Sequence, residues 1–178
     1  MTNVIIAAFV IAVILGASML LANAALSSVG NLAIGWDRMM DRKEDITRTK
    51  LTLLSVDPNA SSTIIEVSIR NSGQTSLGNF DKWDVMIRYY ATSNDTDLNL
   101  EWMSYVATST PATLQWTVEG IYSDAATRVK ETYEPNLLNP GEEMILRANV
   151  TPAIPGGTNN AISIGTPNGV SIPAPFSR

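Results

Sequence analysis

LTLLSVDPNASSTIIEVSIRNSG, residues 51–73, is the stretch where the chain changes period. Within it Ile65, Val67 and Ile69 alternate with Glu66, Ser68 and Arg70, which gives a strand one buried and one wet face, with Ile64 alone out of pattern. Residues 51–57 read as a second strand, and Pro58-Asn59-Ala60-Ser61 as the turn between them. Asn71-Ser72-Gly73 supplies turn chemistry after the second strand, with Gly73 free to take positive φ.

Upstream the period is helical. Met1 to Trp36 contains no Asp, Glu, Lys or Arg, only scattered uncharged polar groups such as Ser18 and Asn23. A bilayer crossing takes roughly 20 apolar residues, which 4–26 supplies. No Pro interrupts the segment, and Gly16 is a modest cost. The helical pattern continues through DRMMDRKEDITRTK, where Glu44 and Arg48 stand four apart in the favourable orientation. A helix ending near residue 48 is about 70 Å long, more than a membrane crossing needs. Ala8, Ala12 and Gly16 recur at four-residue spacing, as on small-xxx-small packing faces; the plainer alternative is a single membrane anchor. The segment lacks the basic start and short apolar run of a cleaved signal peptide. Residues 37–50 mix four acids with five bases, so charge does not orient the helix.

Downstream, residues 83–91, 98–107, 113–118, 143–150 and 160–165 read as further strands, with Asn139-Pro140-Gly141 a strong turn before the fourth of these. Residues 123–134 read as a short helix or an irregular excursion. The Pro- and Gly-rich tail from Thr151 suits an edge position or a loop. Short strands at this spacing predict a β-sandwich or barrel. The chain therefore divides into a helix, residues 1–50, and a β-rich head, residues 51–178.

Residues 51–178 hold thirteen acids against seven bases. An acidic head without a basic patch is unsuited to nucleic acid. Cys and His are absent, which removes disulfides, thiol nucleophiles, imidazole bases and the commonest transition-metal ligands.

The uncharged helix, its small-residue stripe, the amphipathic extension and the switch to an all-β head resemble archaellins, filament subunits of the type IV pilin-like superfamily. IIEVSIRNSGQTSL followed by WDVMIRYY, and LNPGEEMILRANV, resemble strand-and-turn patterns of archaellin heads. Where bacterial type IV pilins carry glutamate at mature position five, this chain has Ile5. The resemblance implies an α+β protein with a long N-terminal α-helix and an immunoglobulin-like sandwich head. It also implies a structural subunit of an extracellular archaellum-type motility filament, with no enzymatic activity and no cofactor. Its partners would be copies of itself, the membrane before assembly, a leader peptidase and a filament assembly platform. The filament core would be packed by Ile5, Ile6, Ala8, Phe9, Ala12, Val13, Gly16, Leu20, Leu21 and Leu26. The alternatives are an adhesive type IV-like pilus subunit and a membrane-anchored extracellular binding module.

Three sequons, at Asn59, Asn94 and Asn149, are candidate glycosylation positions, with Asn94 in the most polar loop. The loop from Asp95 has acidic or amide residues at EF-hand positions one, three and five. It carries Leu100 and Val106 where Gly and Glu are required, so it reads as an acidic surface loop. Glu142 with Glu143, and Asp81 with Asp84, are carboxylate pairs beside turns, where solvated acids are expected. Trp83, Trp102 and Trp116 read as core or inter-subunit packing rather than a sugar platform.

Overall fold

The structure, a computed structural model, describes residues 2–178 apart from 60, 62, 94 and 95. It divides into two compact units, Met1–Glu44 and Asp45–Arg178. A single helix, α1, spans Thr2–Arg48. Its large apolar residues are exposed all along its length. Two serines inside it satisfy their own hydroxyls: Ser18 donates to the Ile14 carbonyl and Ser28 to that of Ala24. Such back-bonding lets polar residues sit in an apolar helix without an outside partner.

The second unit begins with the last turn of α1. Thr49 ends it, its backbone N–H and hydroxyl both donating to the Asp45 carbonyl. The Arg48 carbonyl then accepts from Gln74 N–H at 2.7 Å, and the Lys50 carbonyl from Ser72 N–H at 2.9 Å. Asn168 closes the far side, its amide donating to the Thr49 hydroxyl at 2.6 Å. Gly73 lies between these strands of chain. A Cβ there would fall 2.4 Å from the Arg48 oxygen and 2.5 Å from the Lys50 nitrogen. Its glycine is therefore required by close backbone approach, and not by the positive φ that turn chemistry suggested.

The head is a β-sandwich. Its strands are β1 (Leu51–Pro58), β2 (Ile64–Asn71), β3 (Asp84–Tyr90), β4 (Leu98–Tyr105), β5 (Gln115–Asp124), β6 (Val129–Lys130), β7 (Glu143–Asn149), β8 (Asn159–Gly165) and β9 (Ser171–Ser177). They run in the order β1-β2-β7-β5-β4-β3-β8-β9, with β6 added to β5. All pairings are antiparallel except β4 with β5, which touch in parallel only at Ser104 and Tyr105. That brief contact joins one layer, β1-β2-β7-β5, to the other, β4-β3-β8-β9.

The inner faces follow the alternation in the sequence. Ile65, Val67 and Ile69 of β2, Met144, Leu146 and Ala148 of β7, Val85, Ile87 and Tyr89 of β3, and Ile162 and Ile164 of β8 are buried in one core. Each large aliphatic among them contributes roughly 1.5–3 kcal/mol of transfer free energy. Trp116 lies at the core centre, edge-on to Tyr105 at 4.9 Å between centroids, and Trp83 packs edge-on to Phe80.

One segment differs from the sequence-based expectation, and in a second the structure selects the edge position among the alternatives. Strand β5 does not stop at Val118 but continues to Asp124, through a bulge at Val118–Gly120. The extra residue breaks the alternation: Trp116 and Ile121 face the main core, whereas Tyr122 turns outward to pack with Ala125 and Ile145. Residues 123–134 accordingly hold the end of β5, a turn and the two-residue β6 rather than a helix. The Pro-rich tail contains a full strand, β9, whose Pro173 and Pro175 stand opposite Ser163 and Ala161. It is an outermost strand of the sheet order, where a missing N–H is tolerated.

Candidate interaction surfaces

Three surfaces of the chain could carry function, and the first is α1. Ile5, Phe9, Leu20, Leu21 and Leu26 are each about 70 % exposed, with Ile6 and Val13 somewhat less so. Ala8, Ala12 and Gly16 are exposed among them, and nothing lies within 4 Å of a Cβ built on Gly16. The helix is long and apolar enough to cross a membrane, by length and composition. Every sequence-predicted packing residue is thus on an open apolar surface, available to lipid or to other helices.

The second surface is the outer face of β3 and β4. Period-two logic on LNLEWMSY places Leu98, Leu100 and Trp102 inward and Asn99 and Glu101 outward. The structure inverts this: the three apolar side chains are 52 %, 64 % and 58 % exposed, while Met103 is fully buried. Register with β3 is the cause. Glu101 pairs with Ile87 and Met103 with Val85, two residues pinned in the core, so the apolar row of β4 must face out. Met86, opposite Trp102, is also exposed and extends the patch. Trp102 is anchored there by its indole N–H, which donates to the Asp84 carboxylate at 3.3 Å. The three tryptophans therefore divide: Trp83 and Trp116 are core, and Trp102 is surface.

The third surface is the outer face of β2, β7 and β5, which is charged and self-paired. Glu66 accepts from Arg147 at 2.7 Å and from Arg128 at 2.8 Å, and Glu119 lies 3.5 Å from Arg128. Tyr122 donates its hydroxyl to Glu119. Arg70 pairs with Glu143, whose second oxygen accepts Ala125 N–H at 2.7 Å. Partial burial pushes the Glu66 carboxyl up, but Arg147 and Arg128 together outweigh it and hold the group below its ordinary range. Burial first, and the Glu119 carboxylate second, push the Tyr122 phenol up to about 12. Beside this ladder lies an open groove of about 620 Å³, lined by Ser55, Ser68, Arg70, Ser123 and Asp124 among others.

The remaining candidates serve the fold. Glu142 accepts the Asn139 N–H and so holds the turn before β7, while Glu143 belongs to the ladder, on the opposite side of the strand. Asp81 sits in a 3-10 turn, and Asp84 holds Trp102. Neither pair converges on a common point. Asn59 is exposed, its side-chain oxygen accepting from Ile64 N–H and the Ser61 hydroxyl. Asn149 ends β7 with its amide nitrogen donating to the Pro111 carbonyl at 2.9 Å. Asn94 and Asp95 lie outside the described residues.

Comparison with known proteins places this geometry. The head resembles the archaellum periplasmic stator protein FlaG from Sulfolobus acidocaldarius (22 % identity, TM-score 0.50, covering 72 % of this chain and 99 % of that one). It resembles equally a chain of the periplasmic stator complex of FlaF and FlaG from the same organism (22 %, TM-score 0.50, 72 % and 89 %). The archaeal flagellin FlaB1 from Methanocaldococcus jannaschii shares the fold too (13 %, TM-score 0.51, 72 % and 89 %). No curated protein gives a significant sequence match. The β-sandwich is thus of the kind found in archaellum stator proteins and in archaeal flagellin. Residues 47–172 match the model of conserved flagellar protein F, immunoglobulin-like domain, and the chain belongs to that family. It is an archaellum-related protein, with similarity both to stator proteins and to filament subunits.

Proposed function

We propose that the chain is a stator-type component of an archaellum, anchored in the cytoplasmic membrane by α1 with its immunoglobulin-like head outside. The observation that carries this is the family match: residues 47–172 fit the model of flagellar protein F, immunoglobulin-like domain. The chemistry supports it. A stationary element must resist being pulled out, and the uncharged run to Trp36 gives an anchor that no aqueous phase can solvate. The head folds around its own core, so it can bear load without help from the helix.

The filament-subunit role is the second reading, favoured by the length of α1: 47 residues, about 70 Å, exceed a hydrocarbon core of about 30 Å. In that role Ile5, Phe9, Ala12 and their neighbours would pack with other copies after leader peptidase and assembly platform had acted.

Shearing cells separates the two. The stator reading expects the chain to stay in the membrane pellet and disperse only in detergent, with filaments present but free of it. Uniform sheared filaments containing the chain would establish the subunit role instead.

A further inference from the structure

We infer that the outer face of β4-β3-β8-β9 lies against the lipid surface from which α1 emerges, with Arg88 on a lipid phosphate and Leu98, Leu100 and Trp102 among the upper acyl chains. The inference rests on the membrane-anchor reading of α1 given above, and its test reads the two separately.

Register assembles this face from segments far apart in sequence. Leu100 stands opposite Arg88, Arg88 opposite Ala161, and Ala161 opposite Pro175. One row along, Trp102, Met86, Ser163 and Pro173 line up in the same way. Directly opposed residues share a face, so the two rows, with Leu98 at their end, make one mainly apolar surface about 14 Å across its four strands. Its members are exposed apart from Ala161, which is half-buried. The outer face of the other layer is the reverse, carboxylates and guanidiniums that satisfy one another. A contiguous apolar surface on one side only marks a contact surface.

Arg88 selects the occupant. It stands between Leu100 and Ala161, and it forms no ion pair among the described residues. Its complement is an anion set in an apolar frame, which is what a phosphate above acyl chains presents. A planar guanidinium grips such a group through two parallel N–H bonds. Trp102 adds an apolar ring with a polar end, its N–H held by the Asp84 carboxylate, the chemistry of aromatic residues at a membrane–water interface.

The bilayer is also within reach. The uncharged run ends at Trp36 and the compact head begins at Asp45, which leaves about 14 Å of helix between them. A tether that short gives an effective concentration on the order of millimolar, so one guanidinium and a few apolar side chains suffice without a basic cluster.

The chain has no native cysteine, so Leu100→Cys and Ser123→Cys each give one site for an environment-sensitive fluorophore. Ser123 lines the groove on the opposite outer face. The labelled full chains are reconstituted in phosphatidylglycerol–phosphatidylcholine vesicles with and without nitroxide-bearing lipid, and retention after an alkaline wash reports insertion of α1 on its own. Nitroxide lipid should quench the dye at 100 at least threefold more than the dye at 123. Arg88→Ala and Leu98→Asp, both at exposed positions, should each reduce quenching at 100 at least twofold while circular dichroism stays unchanged. Equal quenching at the two positions, or none at 100 in a chain that resists the wash, overturns the lipid assignment and leaves the anchor standing. A dye at 100 that is shielded only as the ratio of protein to lipid rises means that another copy covers the face, and overturns it as well. Loss of the chain in the wash sinks the anchor reading and the docking with it.

Discussion

At Gly73 the absence of a side chain is dictated by two backbone atoms, the Arg48 oxygen and the Lys50 nitrogen, that no rotamer change can move aside. Gly73→Ala should therefore cost about 2–3 kcal/mol, as overpacking does. Gly156, with open space around it and no positive φ, is the matched control. Gly156→Ala should be neutral or stabilise by up to about 1 kcal/mol through the unfolded state. Denaturant midpoints of the two variants check the contrast. Charge acts at this scale too. Glu66 titrates lower in the fold than its ordinary 4.5 because Arg147 and Arg128 favour its anion. Its contribution to stability is complete above that value and fades as pH falls through the lowered one. Tyr122 has the opposite sign: raised from 10 to about 12, it stabilises fully below pH 10 and loses that contribution as pH climbs toward 12. Melting the chain across the acid range should show Glu66→Gln losing part of the wild-type dependence below pH 5. Tyr122→Phe should lose part of it above pH 10. The glycine at 73 was visible in the sequence as a turn signal, but its real constraint was not, since the clash involves chain more than twenty residues away.

Among the elements, α1 and β4 respond to opposite rules. In α1 apolar character is continuous as far as Trp36, so one charge inside that run disrupts it. Ala12→Asp places a carboxylate near the centre of the apolar run, at about 3 kcal/mol for a centrally placed Asp. The variant should be depleted from the membrane fraction while the head keeps its circular dichroism, because no head-core residue comes from the helix. Recovery of the variant in membranes at the wild-type level would count against α1 as an anchor or packing helix. In β4 the local pattern gives a strand, 98–107, that overruns the observed end at Tyr105, and it does not say which face is buried. Alternation says only that two faces differ. Which of them is buried depends on β3, whose Val85, Ile87 and Tyr89 leave β4 a single compatible register. The bulge in β5 is a similar case: TVEGIY looks like the end of a strand because period two fails there, whereas pairing with β7 resumes one residue out of phase.

For the molecule as a whole, the boundary between its parts lies inside a helix. The compact head begins at Asp45, before α1 ends, because Arg48, Thr49 and Lys50 are bonded to Gln74, Asn168 and Ser72. A head expressed from residue 45 should fold cooperatively without α1. One begun at residue 51 should be weaker by about 2 kcal/mol, having lost three hydrogen bonds at roughly 0.5–1.5 kcal/mol each. Urea unfolding of the two fragments measures the difference, and equal stability would mean that these bonds contribute nothing. The sequence alone determined that a helix uncharged as far as Trp36 precedes a strand-rich acidic head, because hydropathy and period are local properties carried by neighbouring residues. Resemblance in those features led to the archaellum. Tertiary structure decided the strand order, the strand hidden in the Pro-rich tail, the ion-pair ladder across β2, β7 and β5, and the outward turn of Leu98, Leu100 and Trp102. Each of these depends on pairing between segments distant in sequence, which no local pattern encodes.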